Sequence, residues 1–570
     1  MAGPRDAYIL GICCNIHEGS AALVRNGVLV AAAEEERFTR RKHDKRFPEQ
    51  AIAYCLREAG ISMRDVTHAG FYWQPWKGLL KRIWWLVRYF PRSLQTFRGD
   101  KGWRGSTGTL FAHLAVPFKL RRLGFRGRFF FVDHHMAHAA SAFFLSPHQS
   151  AAVLTTDLCG EDCTMLVARG RGNQITPIRR SYLPDSLGIF YAALTQFLGY
   201  QPNNDEYKVM GLAAYGDPRF AGTFDGMVRV QDGRLHNDNS WFAYHLGGAD
   251  CYSQRFPETF GPVCPGEDQV GGQPYRDVAA SGQQALERRL LELAAWCKAT
   301  TGEQDLCMAG GVALNAVANG RLRDSETFRD IWVQPAASDA GCALGIPFYI
   351  WHQLLRQPRG FVMEHAYWGP SYEETDIEQA IAAAGLVVHR VENVEHETAR
   401  LLADGHVVAW FQGRMEWGPR ALGNRSILAD PRRTSMKDVI NRKIKFREPY
   451  RPFAPSVLEE RVGDYFHLTG ASPYMTFVCR VRDDKKGEIP AVTHVDGTAR
   501  IQTVSRQHNP RYWTLLDEFR ALTGVPVLLN TSFNVKGEPI VCTPEDAVRC
   551  FLKTDLDYVV LGDAICTRLR

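Results

Sequence analysis

Long apolar runs are missing from this chain of 570 residues. The nearest approach to one, Gly78 to Phe90, is interrupted by Lys81, Arg82 and Arg88 and is too short and too charged to span a bilayer. It reads as an amphipathic segment that packs on the body, closes over a site or lies on a membrane surface. No apolar stretch follows a basic start between Met1 and Tyr8, so export is not expected. A regular cysteine framework is also missing. The 14 cysteines are scattered, several inside apolar runs such as Gly11-Ile12-Cys13-Cys14, which excludes a disulfide scaffold and points to a reducing cytoplasm. Cys159 and Cys163 flank an acidic loop, but without a second thiol pair they make a poor zinc site and are expected to be buried thiols. Charge of one sign is not concentrated either. With 68 basic against 62 acidic residues and no basic arm, the overall charge argues neither for nor against nucleic acid, which is not an expected partner because the basic residues form no even stripe with stacking aromatics. No GxSxG elbow or other evident covalent nucleophile is found.

The composition, 45% apolar and 23% charged, is that of a globular protein, and the length exceeds one hydrophobic core, so two or three domains are expected. The best boundary is the Pro- and Gly-bearing stretch Arg356 to Ser371, giving domains 1–360 and 361–570. The fold class is α/β. Residues 7–14, Ala21 to Val24 and Val28 to Ala33 read as a three-stranded meander turning at His17-Glu18 and Arg25-Asn26-Gly27. The pattern returns at Ala151 to Thr156, Thr164 to Ala168 and a third strand, with Asp157 to Asp162 as its first turn. Such a duplication sets two polar turns across a cleft suited to a nucleotide. Residues 231–275 read as loops or an insertion.

Between the two meanders lies Phe129 to Ser141. The apolar Phe129 to Val132 predicts a buried strand, and Asp133 caps the helix that follows. His134 and His138, four apart, share one face of that helix, where two imidazoles can grip one metal ion or serve as ordinary interior histidines. Asp157 ends the adjacent strand, and Asp339 opens a distant helix, Ala340 to Leu354. Two imidazoles with carboxylates suit Fe(II), Mn(II) or Zn(II), with phosphate oxygens completing the shell. Gly310 and Gly311, between a strand and a helix, let backbone approach a ribose or phosphate. Glu206 and Lys208 precede a glycine-punctuated helix and can orient a substrate or pair with each other. His17 and Glu18, in the first turn of the first meander, are the acid/base candidates, with phosphate orientation as the alternative role of His17.

The second domain is basic at its start, with 11 Arg and Lys residues between Arg414 and Arg451 set among Gly and Pro turns. Placed guanidinium forks favour a compact polyanion such as ATP or an acyl phosphate. Asn530 to Asn534 add neutral donors at a strand end, with Val525 to Leu529 as the strand.

The segments DHHMAHAASAF, NNDEYKVMGLAAYG, GGVALN, MEWGPRALGNRSILADPR, IKFREPYRPFAPS and LNTSFNVKGEPIV resemble the O-carbamoyltransferase family, which includes nodulation protein NodU and antibiotic-tailoring enzymes. The resemblance covers nearly the whole chain. It implies an actin-like (ASKHA) duplicated N-terminal domain, like the tRNA threonylcarbamoyl-adenosine transferases, and a YrdC-like C-terminal domain. It further implies an ATP-dependent enzyme that makes carbamoyl-adenylate from carbamoyl phosphate and Mg-bound ATP at Arg420, Lys445, Arg447, Arg451, Asn530 and Ser532. His134, His138, Asp157 and Asp339 match the iron motif, and Gly310 and Gly311 the adenosine loop. The implied acceptor is an aminoglycoside sugar, the 6''-hydroxyl of tobramycin, in antibiotic biosynthesis. Other natural-product acceptors, tRNA threonylcarbamoylation and a metal-dependent sugar kinase without acyl transfer are the alternatives. A homodimer is compatible with the sequence. His135 competes with His134 as ligand, and Lys443 with Lys445.

Overall fold

The computed structural model describes residues 6–88, 90, 107–244, 250–266 and 272–569. The chain divides into two compact units, one formed by Met1–Glu35 and His43–Met363, the other by Glu36–Lys42 and Glu364–Arg570. The excursion at 36–42 is tied into the second unit by Arg40, whose guanidinium donates to the carbonyls of Ile540 and Pro539 at 2.6 and 2.8 Å and pairs with Asp546 at 3.3 Å.

In the first unit two five-stranded sheets share one topology. Strand Tyr8–Cys13 pairs antiparallel with Ser20–Arg25, which pairs antiparallel with Val28–Glu34; its other edge pairs parallel with Val66–Phe71, and that strand with Arg128–Phe131. Strand Ser150–Gly160 stands at the same place in the second sheet, with Cys163–Arg171 and Gln174–Tyr182 antiparallel on one side and Asp305–Ala309 and Asp330–Val333 parallel on the other. The order is thus the same in both, as an actin-like duplication requires. The central strands are apolar without alternation because both faces are covered, as Ile9, Leu10 and Ile12 in the first and Val153 and Leu154 in the second show.

Two helices cross in the middle of this unit. Helix His134–Phe143 begins at Asp133, whose carboxylate accepts from Met136 N at 2.9 Å, and all ten of its residues are buried. Helix Ala340–Phe348 approaches so closely that a Cβ on Gly345 would stand 1.9 Å from the Ala137 carbonyl oxygen. That approach, possible only for glycine, carries Asp339 toward the two histidines.

Several local expectations need correction. The strand at 150 does not end at Asp157 but runs to Gly160 through a register shift after Thr156, so the turn falls at Glu161-Asp162. The helix from Ala340 stops at Phe348 and continues to Leu354 as a wider helical turn, after Pro347. Residues 231–275 hold the second strand of the hairpin Val228–Gln231 with Arg234–Asn237 and helix Arg255–Phe260; 245–249 and 267–271 lie outside the described residues. In Gly78 to Phe90 a helix spans Leu79–Arg88, and Ile83, Trp84, Val87 and Phe90 are exposed rather than packed; Tyr89 and the side chains of Leu79, Leu80, Arg82, Trp85 and Leu86 lie outside the described residues. No helix among the described residues is long and apolar enough to cross a membrane. Of the cysteines, all but the half-buried Cys159 are buried, and all are free thiols.

The second unit is built on an eight-stranded mixed sheet in the order Val387–His389, Ala564–Thr567, Tyr558–Leu561, Val408–Phe411, Arg425–Ala429, Val527–Ser532, Ala454–Leu458, Gln502–Val504. The strand expected to end at Leu529 runs to Ser532, because Asn530, Thr531 and Ser532 pair with Leu428, Ile427 and Ser426.

Candidate functional site

In the first unit four side chains converge. His134 and His138 bring their Nε2 atoms 3.1 Å apart. Asp157 Oδ2 lies 3.0 Å from His138 Nε2 and 3.5 Å from His134 Nε2, and Asp339 Oδ1 lies 3.9 and 3.7 Å from the same atoms. The register shift after Thr156 frees Asp157 from strand alternation. Asp339 precedes its helix without capping it. Buried Asp157 Oδ2 accepts no hydrogen bond among the described residues, although His138 Nε2 is near, so the four atoms face a shared point rather than one another.

The donor set fits a divalent ion. Two imidazoles and two carboxylates, all mutually within 4.8 Å, suit Mn(II), Fe(II) or Zn(II). Burial pushes the Asp339 carboxyl up, and the charge of Asp157 adds to it. Burial also opposes the charge on Asp157, but the two imidazoles prevail and hold it well below the usual carboxylate range. Cys342 is also within reach of the imidazoles, but burial pushes its thiol far up, which makes the carboxylates the better ligands.

His135 is no competitor. Its ring is engaged on both sides, by Thr155 Oγ1 at 2.7 Å and by the Cys163 carbonyl at 3.1 Å, and burial pushes it down to about 3. Gly310 and Gly311 follow strand Asp305–Ala309. Gly310 has φ +92°, and a Cβ there would stand 2.2 Å from the Thr156 carbonyl oxygen, while one on Gly311 would stand 3.1 Å from Asp157 Oδ1. The glycine pair therefore borders Asp157 directly.

His17 belongs to a second cluster. Its Nε2 donates to the Asn203 carbonyl at 2.5 Å, and its Nδ1 lies 3.6 Å from Glu18 Oε1. Glu18 Oε2 accepts from Ser338 Oγ at 2.7 Å and from Ala340 N at 3.1 Å, the neighbours of Asp339. Burial lowers the basicity of His17, but hydrogen bonding and charge from Glu18 outweigh it and push the imidazole up to about 10. Glu206 accepts from Asn203 N at 2.6 Å, fixing the turn that holds His17, and Lys208 pairs with Asp205 at 3.2 Å.

In the second unit the basic segment is thinned by structure. Arg425 is buried in its strand, donating to the carbonyls of Gln412, Asn424, Gly413 and Pro370 and lying 3.6 Å from the Phe411 ring centroid. Arg432 pairs with Asp430 at 2.8 Å, and Arg414 donates to the Trp368 and Gly369 carbonyls. Lys443 is exposed, whereas Lys445 is buried, its ammonium held by the Ser532 carbonyl, by Ser532 Oγ at 3.3 Å, and by the carbonyl and Oδ1 of Asn534 at 2.9 Å each. Burial, with Arg447 and Arg451, pulls Lys445 well below the ordinary lysine range. Arg447 is braced by Asn441 Oδ1 at 2.8 Å, and Arg451 pairs with Glu448 at 3.5 Å.

Arg500, at the end of the short strand Thr498–Arg500, joins this group and was not among the expected residues. Burial and then Arg420, Arg447 and Arg451 all oppose its charge. A guanidinium does not give up its proton, so the opposition stands as repulsion that an anion relieves. Asn530 is largely engaged: its Nδ2 donates to Ser456 Oγ and Gln502 Oε1 at 3.0 Å each, leaving Oδ1 without a hydrogen bond among the described residues.

A family model described as the carbamoyltransferase N-terminus matches residues 8–347, and one described as the carbamoyltransferase C-terminus matches residues 399–568. The chain belongs to the carbamoyltransferase family. Among relatives, nodulation protein NolNO of Sinorhizobium fredii is 41% identical over 96% of this chain and 78% of its own length. The uncharacterized protein sll1178 of Synechocystis sp. is 43% identical over 98% of this chain and 97% of its own. Nodulation protein U of Sinorhizobium fredii is 29% identical, covering 94% of each. The solved structure of T. kodakarensis HypF covers 62% of this chain and 48% of its own at 13% identity, with a TM-score of 0.35. This carbamoyltransferase is thus a transferase enzyme whose cluster of two histidines and two aspartates falls in the N-terminal match and whose cationic group falls in the C-terminal one.

Proposed function

We propose that the enzyme makes carbamoyl-adenylate from ATP and carbamoyl phosphate in its second, YrdC-like unit and transfers the carbamoyl group to a sugar hydroxyl in its first. One observation carries this reading: a cation-seeking cluster and an anion-seeking cluster stand in different units of one chain. Water cleaves carbamoyl phosphate to carbamate and phosphate, the carbamate oxygen attacks the α-phosphorus of Mg-bound ATP, and pyrophosphate leaves. The acceptor hydroxyl then attacks the carbamoyl carbon, AMP leaves and the hydroxyl proton is lost.

Lys445, Arg420, Arg447, Arg451 and Arg500 are assigned to the phosphates, where placed cations stabilise charge developing in the transition state. Ser532 sets the position of Lys445, and Asn530 Oδ1 is an acceptor for the carbamoyl amide. In the first unit His134, His138, Asp157 and Asp339 would hold Fe(II), or Mn(II) or Zn(II), which supplies Lewis acidity toward the adenylate phosphate. Gly310 and Gly311 leave room for the nucleotide beside Asp157. His17 meets the acceptor hydroxyl as base or orienter.

The acceptor is assigned as an aminoglycoside, with the 6''-hydroxyl of tobramycin as the site. A less cationic natural-product sugar is the second reading, favoured by the internal pairing of Asp133 with Lys77 and Arg180 and of Asp205 with Lys208, which removes acids that would attract a polycation. Purified enzyme incubated with ATP, carbamoyl phosphate and tobramycin tests the proposal. Pyrophosphate release with a carbamoyl mass gain on tobramycin supports it. Pyrophosphate release with gain only on other sugars selects the second reading, and ADP with a phosphorylated sugar overturns both.

A further inference from the structure

Exposed apolar side chains recur along two helices of the first unit. Thr107–Arg122 is apolar on both sides. His113, Val116 and Leu120, three and then four residues apart, are buried, and the His113 ring packs on those of Phe71 and Trp73 with centroids 5.1 and 5.4 Å away. Phe111, Leu114 and Phe118 repeat that spacing on the opposite side and face solvent, Phe111 70% and Phe118 64% exposed, and exposed Arg122 continues their row in the last turn. Helix Leu79–Arg88 likewise exposes Ile83, Trp84 and Val87 together with Arg88. Both helices border the edge strand of the first sheet, Arg128–Phe131. Exposed Trp76, just before the first helix, packs on Phe131 with ring centroids 5.4 Å apart, and the second helix leads into the strand.

The same part of the chain is cationic. Val66 to Val132 holds 13 Arg and Lys residues and one acid, Asp100, which lies outside the described residues. Without this stretch acidic residues outnumber basic ones, so the charge expected to be evenly spread is concentrated here. Lys77 is engaged by Asp133, and Lys81 lies over the Tyr182 ring. Lys119, Arg121, Arg122, Arg126 and Arg128 are exposed, and the described residues of the stretch include no carboxylate to set against them.

A face at once apolar and cationic is complemented by a surface at once apolar and anionic. Ile83, Val87 and Leu114 are aliphatic and offer no platform for stacked bases, so single-stranded nucleic acid leaves them unexplained. A second copy of the chain would set cation against cation across a two-fold interface. At a bilayer surface, rings and aliphatic side chains enter the boundary between headgroups and acyl chains while Arg and Lys meet the lipid phosphates.

We propose that the exposed faces of helices Leu79–Arg88 and Thr107–Arg122 dock the first unit on a bilayer surface rich in anionic phospholipid. The docked helix then stands one aromatic ring from the histidine pair, because Trp73, which touches His113, also lies 5.5 Å from the His134 ring. The docking depends on neither the acceptor nor the carbamoyl donor.

Co-sedimentation of the full chain with lipid vesicles tests this. The chain should pellet with vesicles of equimolar phosphatidylglycerol and phosphatidylcholine, stay in solution with phosphatidylcholine alone, and be released as salt is raised. Arg121→Ala/Arg122→Ala should lower partitioning by about 30-fold, the scale of two basic side chains at an anionic surface. Phe118→Ser should lower it by about 10-fold or more, the scale of one ring withdrawn from water. Both variants should keep the wild-type thermal midpoint, and Val87→Ser, on the other helix, decides the matter if Phe118→Ser fails to fold. Failure to pellet with the anionic vesicles, or equal pelleting of wild type and the apolar-to-serine variants, overturns the proposal. Sedimentation as a dimer that Phe118→Ser dissociates, without vesicle binding, also overturns it and assigns the face to a second copy. Product formation is not the readout, so loss of the carbamoylation reading would leave this result intact.

Discussion

His134 Nε2 and His138 Nε2 stand 3.1 Å apart at the end of two carboxylate arms from Asp157 and Asp339, which reach them from a strand and from the start of another helix. The two histidines are one helical turn apart, and the carboxylates arrive from 19 and 201 residues further along, as the numbering of His138, Asp157 and Asp339 gives. Replacing His138 by Ala removes one imidazole from this set. Pyrophosphate release from ATP and carbamoyl phosphate should persist near wild-type rates, and carbamoyl transfer should fall below detection. Assaying the two half-reactions separately checks it, and equal loss of both contradicts the separation.

Lys445→Met should do the reverse. The ammonium held by Ser532 and Asn534 is lost, and adenylate formation should drop by about 100-fold, the scale of one lost transition-state charge contact. Transfer from carbamoyl-adenylate supplied directly should be preserved.

Arg500→Ala removes one of the mutually repelling guanidiniums. Without nucleotide the second unit should gain thermal stability, and with it the apparent KM for ATP should rise about 10-fold, the scale of one charged hydrogen bond. A thermal scan with and without ATP distinguishes this from a merely structural arginine, whose loss would lower both midpoints.

Gly310→Ala places a Cβ 2.2 Å from the Thr156 carbonyl oxygen in a backbone conformation, φ +92°, that alanine adopts at a cost. Destabilisation of roughly 1–3 kcal/mol from conformation alone is expected, with further loss from the clash. Gly311→Ala, whose Cβ would meet the Asp157 side chain at 3.1 Å, should cost less stability but weaken ion binding. Thermal midpoints and Mn(II) affinity of the two variants check the contrast.

The pH dependence of stability should show His352. Burial pushes this imidazole down to about 4, against the hydrogen bond from its ring to the Gln357 carbonyl, and Nε2 has no partner among the described residues. The unfolded chain takes up a proton near pH 6.5, which the folded chain refuses until about pH 4. The contribution is therefore whole above pH 6.5 and is lost as pH falls toward 4. His352→Phe should flatten that part of the thermal midpoint against pH.

Much of the architecture was legible because it rests on local pattern. The Asp133 cap and the HxxxH spacing produce the helix and the paired imidazoles, and two similar meanders produce the two sheets; the strand expected to be buried at Phe129 to Val132 is Arg128–Phe131, half-buried because it lies at the edge of its sheet. Asp157 was legible as a residue but not as part of a long strand, since the register shift after Thr156 depends on the partner Cys163–Arg171. Arg500 gave no signal: it stands alone in a three-residue strand and joins the basic group only through the fold. The link from His17 to Asn203, 186 residues away, and the passage of residues 36–42 into the second unit are contacts of the same kind, set by tertiary packing and invisible to local spacing.

The central claim is that a divalent ion binds among His134, His138, Asp157 and Asp339. The most direct measurement is anomalous diffraction at a metal edge from crystals of the enzyme grown with Mn(II) and adenine nucleotide. A peak within bonding distance of both Nε2 atoms and of carboxylate oxygens from Asp157 and Asp339 is the result expected. Density with no peak there, together with unchanged carbamoyl transfer after chelation, would contradict it.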